Sequence, residues 1–168
     1  LFSLLSVGCE AQVKLNDLPL KEDLKNYKLE TIAADIAIPW GMAWLPDGSL
    51  LVTEKSGALY HIKNGSKTEV TNVPKIYSRG QGGLLDIALH PNYAKIGWIY
   101  MTFASDEGEG TGGNTKLIRA KLLDGSLTQI ESLYKATPNT TKGQHFGSRI
   151  AFDNDGYLYF SVGDRGDH

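Results

Sequence analysis

One pattern recurs along this chain and narrows the folds open to it. An apolar residue, an alanine and a second large apolar residue stand together three times: Met42-Ala43-Trp44, Ile87-Ala88-Leu89 and Ile150-Ala151-Phe152. Each triplet leads through a polar turn into a run of strand-forming residues, Leu50 to Thr53, Trp98 to Phe103 and Leu158 to Val162. The alanines are 45 and then 63 residues apart, the longer gap passing through "ASDEGEGTGGNTKLIRAKL". Short strands repeating with a period of about 40 to 50 residues are the signature of a β-propeller. A small residue at the same point of every unit suits that architecture, because blades converge on an axis and leave little room between their inner strands. Asp47-Gly48 and Asp155-Gly156 supply a left-handed turn between the first two strands of their units. The expected fold is all-β, a β-propeller with about three blades over residues 28–168. A closed ring takes roughly four to eight blades. The chain is therefore expected to be the N-terminal part of a longer protein, the alternative being a small three-sheet domain complete in itself.

Composition excludes some functions. The 168 residues are 41% hydrophobic and 21% charged with a net charge of -2, the range of soluble globular protein. That balance offers no basic stripe to a nucleic-acid backbone, so nucleic acid is not an expected partner. Ahead of the repeats, residues 1–9, "LFSLLSVGC", resemble the tail of a bacterial lipoprotein signal. The lipobox usually has Leu three residues before its cysteine, whereas Ser6 stands there and Leu5 lies one further back. Two readings stay open: Cys9 is the lipid anchor of an exported, periplasmic or cell-envelope protein, or it is an incidental cysteine in a soluble secreted one. A single cysteine allows no intramolecular disulfide. Residues 10–27 are polar and read as a tether.

Few side chains offer chemistry. Gln81 lies between glycines in "RGQGGLLDIALHP", where the backbone could approach a ligand closely and an amide could bond a hydroxylated substrate; a turn glutamine facing water is the plainer reading. His145, in "GQHFGSR", sits at the entry to the third unit and could act as a base if its tautomer were held. Asp164, in "VGDRGD", leaves the same hairpin on the other side. His145 precedes the Asp155-Gly156 turn by ten residues and Asp164 follows it by eight, so the two are expected at one edge of the sheet, an aspartate beside an imidazole. A surface or structural role for both remains the alternative. Arg149 and Arg165 could face an anionic cofactor or pair with Asp164, Asp167 or Asp153. "DRGDH" alternates carboxylates and glycine but lacks the ligand count of an EF-hand. "GEGTGGN" lacks the Lys-Ser/Thr ending of a phosphate loop and reads as a flexible excursion between strands, and His90, before Pro91, is explained by its turn.

The stretches "IPWGMAWLPDGSLLVTEKSGALYHI", "GQGGLLDIALHPNYAKIGWIYMTFA" and "HFGSRIAFDNDGYLYFSVGDRGD" together resemble the glucose/sorbosone dehydrogenase family. The resemblance implies a six-bladed propeller in the full-length protein and a quinoprotein that uses pyrroloquinoline quinone (PQQ) with calcium. It implies oxidation of an aldose sugar at C1 to the lactone, with an external electron acceptor as a further partner. Carried over by position, His145 is the catalytic base, Asp164 the carboxylate that orients it and Gln81 a substrate contact. The quinone and calcium ligands are expected in blades beyond residue 168, which leaves the fragment alone inactive. A non-catalytic propeller that binds carbohydrate or protein, and a calcium-dependent lactonase, are the competing functions; a homodimer is left open.

Overall fold

The computed structural model describes Lys28 and residues 30–166. Cys9, the tether at 10–27, Asp167 and His168 lie outside the described residues. The repeats form three antiparallel sheets. The first is a meander of β1 (Pro39–Trp44), β2 (Leu50–Glu54), β3 (Leu59–Lys63) and β4 (Ser66–Glu69). The second runs β5 (Leu84–Leu89), a four-residue helix α1 (Tyr93–Ile96), β6 (Trp98–Ser105), β7 (Asn114–Leu123) and β8 (Ser126–Lys135). Among the described residues the third holds two strands, β9 (Gly147–Phe152) and β10 (Leu158–Val162). The architecture is part of a β-propeller.

The polar turns behave as their residues dictate. Asp47-Gly48 and Asp155-Gly156 close the same hydrogen-bonded loop, with Gly48 at φ 81° and Gly156 at φ 87°, a region glycine enters without cost. Leu45 N–H bonds Ser49 O in the first unit, as Asp153 N–H bonds Tyr157 O in the third. In the second unit α1 replaces that turn and closes on Gly97 at φ 69°. His90 serves the turn, its Nδ1 accepting from Asn92 N–H at 2.9 Å while its ring packs on Tyr100 and Phe152.

Packing between sheets explains why β6 reads as an unbroken apolar run. Its alternate residues Ile99, Met101 and Phe103 join Leu51, Leu59, Leu84 and Ile118 in the core shared with the first sheet. Tyr100 instead joins Leu117 and Ile150, with Phe152, Leu158 and Phe160 packed against them. A strand covered on both faces has no polar side to alternate with. The repeated alanines follow the same logic only in part. Ala43 and Ala88 are half-buried between sheets, whereas Ala151 is exposed because no described strand covers its side of the third sheet.

A feature absent from the expectations repeats in all three units. In each, the first strand holds one residue more than its partner, so that two residues oppose one: Trp40-Gly41 against Thr53, Leu85-Asp86 against Thr102, Ser148-Arg149 against Ser161. The residue opposite each bulge carries a hydroxyl. Gly41 N–H donates to Thr53 Oγ1 at 2.8 Å, Asp86 N–H to Thr102 Oγ1 at 3.2 Å and Arg149 N–H to Ser161 Oγ at 3.1 Å. Each hydroxyl thus takes up an amide that the irregular ladder would otherwise strand.

Candidate functional site

The third bulge positions the side chains picked out from sequence. The register of β9 and β10 pairs Phe152 with Leu158 and Ile150 with Phe160, then shifts so that Gly147 faces Val162. Two residues further out on each strand, His145 meets Asp164, Nδ1 to Oδ1 at 2.8 Å. Asp164 Oδ1 also accepts from Gly166 N–H at 2.7 Å, which anchors the carboxylate on its own loop.

His145 is held through its backbone as well as its ring. Its N–H donates to Gln81 Oε1 at 2.8 Å, and its carbonyl accepts from Arg165 N–H at 3.2 Å. Its φ of 54° is uncommon for a residue with a side chain, so these bonds sustain a conformation the chain would not adopt freely. The strand end at Gly163 lies so close that a Cβ there would fall 1.8 Å from His145 O. Glycine is required at that position for the loop to reach the histidine.

The glycines around Gln81 let two stretches of the protein come close together. Their close approach is to the neighbouring chain segment: Gln81 N–H bonds Gly143 O at 2.7 Å, and a Cβ on Gly80 would lie 2.2 Å from that same oxygen. Gly82 lies flush against Ala104 and Phe146, where the buried cluster of Leu85, Ala104 and Phe146 underlies the site. Gln81 is exposed but bonded to His145, so it is more than a turn residue facing water.

Among the described residues Arg149 pairs with neither Asp153 nor Asp164, and Asp167 lies outside them. Its guanidinium reaches Asp86 at 3.3 Å on the second sheet, because the bulge turns residue 149 toward that neighbour. Arg165 donates to Gly163 O at 2.9 Å, and Lys142 Nζ bonds Gly166 O. The glycine-rich excursion is pinned as well: Asn139 Nδ2 donates to Gly110 O at 3.1 Å, and Asn114 Nδ2 to Glu107 O at 2.6 Å. Asp86, Thr102 and the bulge itself were missed from sequence. The available signal was a hydroxyl residue ten positions after the alanine in the first and third units, with α1 lengthening that interval in the second.

With Nδ1 engaged by Asp164, the imidazole presents Nε2 as its second nitrogen, on a side chain that is 52% exposed. A carboxylate on one nitrogen fixes the tautomer and the orientation of the ring. The arrangement can take a proton from a bound hydroxyl. Among the described residues no three metal-ligating side chains cluster, and Arg149, Arg165 and Lys142 all have protein partners.

Comparison with known proteins places the chain. Residues 36–168 match the family model for glucose/sorbosone dehydrogenase. The aldose sugar dehydrogenase YliI of Escherichia coli K12 is 31% identical over 141 residues, 81% of this chain and 38% of that protein. Quinoprotein glucose dehydrogenase B of Acinetobacter calcoaceticus is 26% identical over 89% of this chain and 34% of its own length. The solved PQQ-bound aldose sugar dehydrogenase of Streptomyces coelicolor superposes with a TM-score of 0.70 at 33% identity, covering 83% of this chain and 42% of that one. The chain spans less than half the length of each.

Proposed function

The chain belongs to the glucose/sorbosone dehydrogenase family, and on that premise we propose that the whole protein is a PQQ-dependent dehydrogenase that oxidises aldose sugars at C1 to the lactone. The observation that carries the reading is the His145–Asp164 pair with Gln81 bonded beside it. A binding module has no use for a base whose tautomer is fixed by a carboxylate. In the reaction His145 Nε2 takes the C1 hydroxyl proton, Asp164 stabilises the imidazolium that forms, and Gln81 contacts the sugar through its amide. The quinone, when bound, would supply the acceptor for the C1 hydrogen and its bonding electron pair, with an external acceptor as the final sink for the two electrons. Calcium and the quinone clamp are assigned to the part of the protein beyond this chain. Export to the periplasm or cell envelope, with Cys9 as a lipid anchor, completes the proposal.

The test is dye reduction by aldoses in the full-length protein. Activity is expected only with quinone and calcium added, and His145→Ala is expected to lower kcat by about 10²- to 10⁴-fold. Quinone-independent turnover, lactone hydrolysis without dye reduction, or an unaffected His145→Ala enzyme would overturn the assignment.

A further inference from the structure

The register that joins His145 to Asp164 is imposed from outside the third sheet. Were the pairing of Ile150 with Phe160 to run on without a bulge, His145 would face Arg165 and Asp164 would face Phe146. The extra residue at Ser148-Arg149 moves the register by one, and Ser148 accepts a φ of 106° to make that shift. A β-carbon is poorly tolerated there, so the bulge needs support.

Two buried side chains of the second sheet provide it. Thr102 Oγ1 donates to Ser148 O at 2.7 Å, and Asp86 Oδ2 accepts from Ile150 N–H at 2.7 Å. Asp86 Oδ1 meets the Arg149 guanidinium at 3.3 Å. The carbonyl on one side of the bulge and the amide on the other are thus both claimed by the neighbouring sheet. Thr102 is fully buried and Asp86 is 4% exposed, which puts these bonds where water competes least.

The other sheet interface shows which part of this device is general. There Thr53 Oγ1 donates to Leu85 O at 2.6 Å, as Thr102 does to Ser148 O. The counterpart of Asp86 in the first sheet is Gly41, which has no side chain to reach across. The hydroxyl clasp therefore belongs to the repeat. Between these two interfaces the carboxylate occurs only at the one that carries the His145–Asp164 pair.

We infer that Asp86, working with Thr102, is a positioning residue for that pair: it fixes the third-sheet bulge and through it the register that sets His145 against Asp164. The inference rests on the proposed function only for its effect on turnover, so the test has two arms in the full-length protein. The first needs neither quinone nor sugar. It follows the downfield His145 Nδ1–H proton resonance, assigned by its loss in His145→Gln. The second measures kcat and KM for an aldose with quinone and calcium. Asp86→Ala and Thr102→Val are expected to abolish or shift the resonance and to lower kcat about 10- to 100-fold with KM changed less than about threefold, the scale of a misplaced catalytic group. Thr102→Ser, which keeps the hydroxyl, is expected to retain both signals. Asp86→Asn keeps an acceptor for Ile150 N–H and serves if the alanine variant does not fold; a roughly three- to tenfold fall in kcat is expected. Asp86→Ala added to His145→Ala is expected to cost nothing further in kcat, as for residues acting as one unit. Folded Asp86 variants that keep the native resonance would overturn the inference. Absence of any aldose oxidation would sink the functional reading and leave the resonance arm to decide this one.

Discussion

The second and third sheets begin from nearly the same sequence pattern and end in different environments. Ile87-Ala88-Leu89 and Ile150-Ala151-Phe152 both open a first strand, and both lead to a strongly apolar second one. Yet β6 is buried along almost its whole length, with Met101, Thr102, Phe103 and Ala104 all fully buried. In β10, Tyr159 is 59% exposed. The difference lies in the neighbours. Among the described residues the second sheet is packed on two sides and the third on one, so burial in a stacked-sheet fold is set by what lies alongside. The candidate site stands on the third sheet, and the bulge beside it is bonded by side chains of the second.

The largest expected effect tests that contrast through packing. Phe103→Ala is expected to cost about 3–5 kcal/mol, read as a lower urea midpoint at unchanged m-value. Tyr159→Ala in the same chain is expected to cost less than about 0.5 kcal/mol. A Tyr159→Ala penalty close to that of Phe103→Ala would mean that the outer face of the third sheet is covered in solution, and the comparison would fail.

A middle-sized effect concerns the clasps. Thr53→Val keeps the shape but removes the hydroxyl that bonds Gly41 N–H and Leu85 O, leaving buried backbone groups unpaired at a cost of about 1–3 kcal/mol. Thr53→Ser is expected to recover most of that. Equal losses in the two variants would show that the methyl contacts, and not the hydroxyl, hold the first two sheets together.

The smallest effect should appear in acid. Burial pulls the Asp153 carboxyl upward, but donation from Tyr157 N–H, the Tyr159 hydroxyl and Asp155 N–H outweighs it and holds the group below its ordinary value. A lowered folded-state pKa stabilises the fold above the ordinary carboxylate range, and that contribution fades as pH falls through the folded value. The corresponding turn of the second sheet is built by His90 and α1 and involves no carboxylate acceptor. Amide hydrogen exchange in β10 is therefore expected to accelerate, relative to β6, below pH about 4. In Asp153→Asn that pH dependence should be largely lost; an unchanged profile would remove Asp153 as its cause.

Much of the strand framework was legible because it rests on local chemistry. Asp-Gly pairs adopt left-handed turns wherever they stand, and runs such as Trp98 to Phe103 have few options besides a strand. The proximity of His145 and Asp164 was legible to within a residue, since counting outward from a hairpin turn needs only the pairing rule. Their opposition was not. Strict counting places Arg165 across from His145, and the residue that corrects it, Ser148, is an ordinary serine in the sequence. Asp86 was equally silent, because an aspartate inside "LLDIAL" gives no hint that its partners lie 63 and 64 residues away on another sheet.

The sequence by itself determined the repeat and the Asp-Gly turns, which follow from residue type and spacing, and its motifs carry the resemblance that pointed to the family. Only the tertiary structure decided which faces are buried, which amide each carboxylate accepts from and how the His145 ring meets its aspartate. Those depend on contacts between sheets, where a one-residue bulge held by a neighbour's hydroxyl and carboxylate changes which side chains oppose one another.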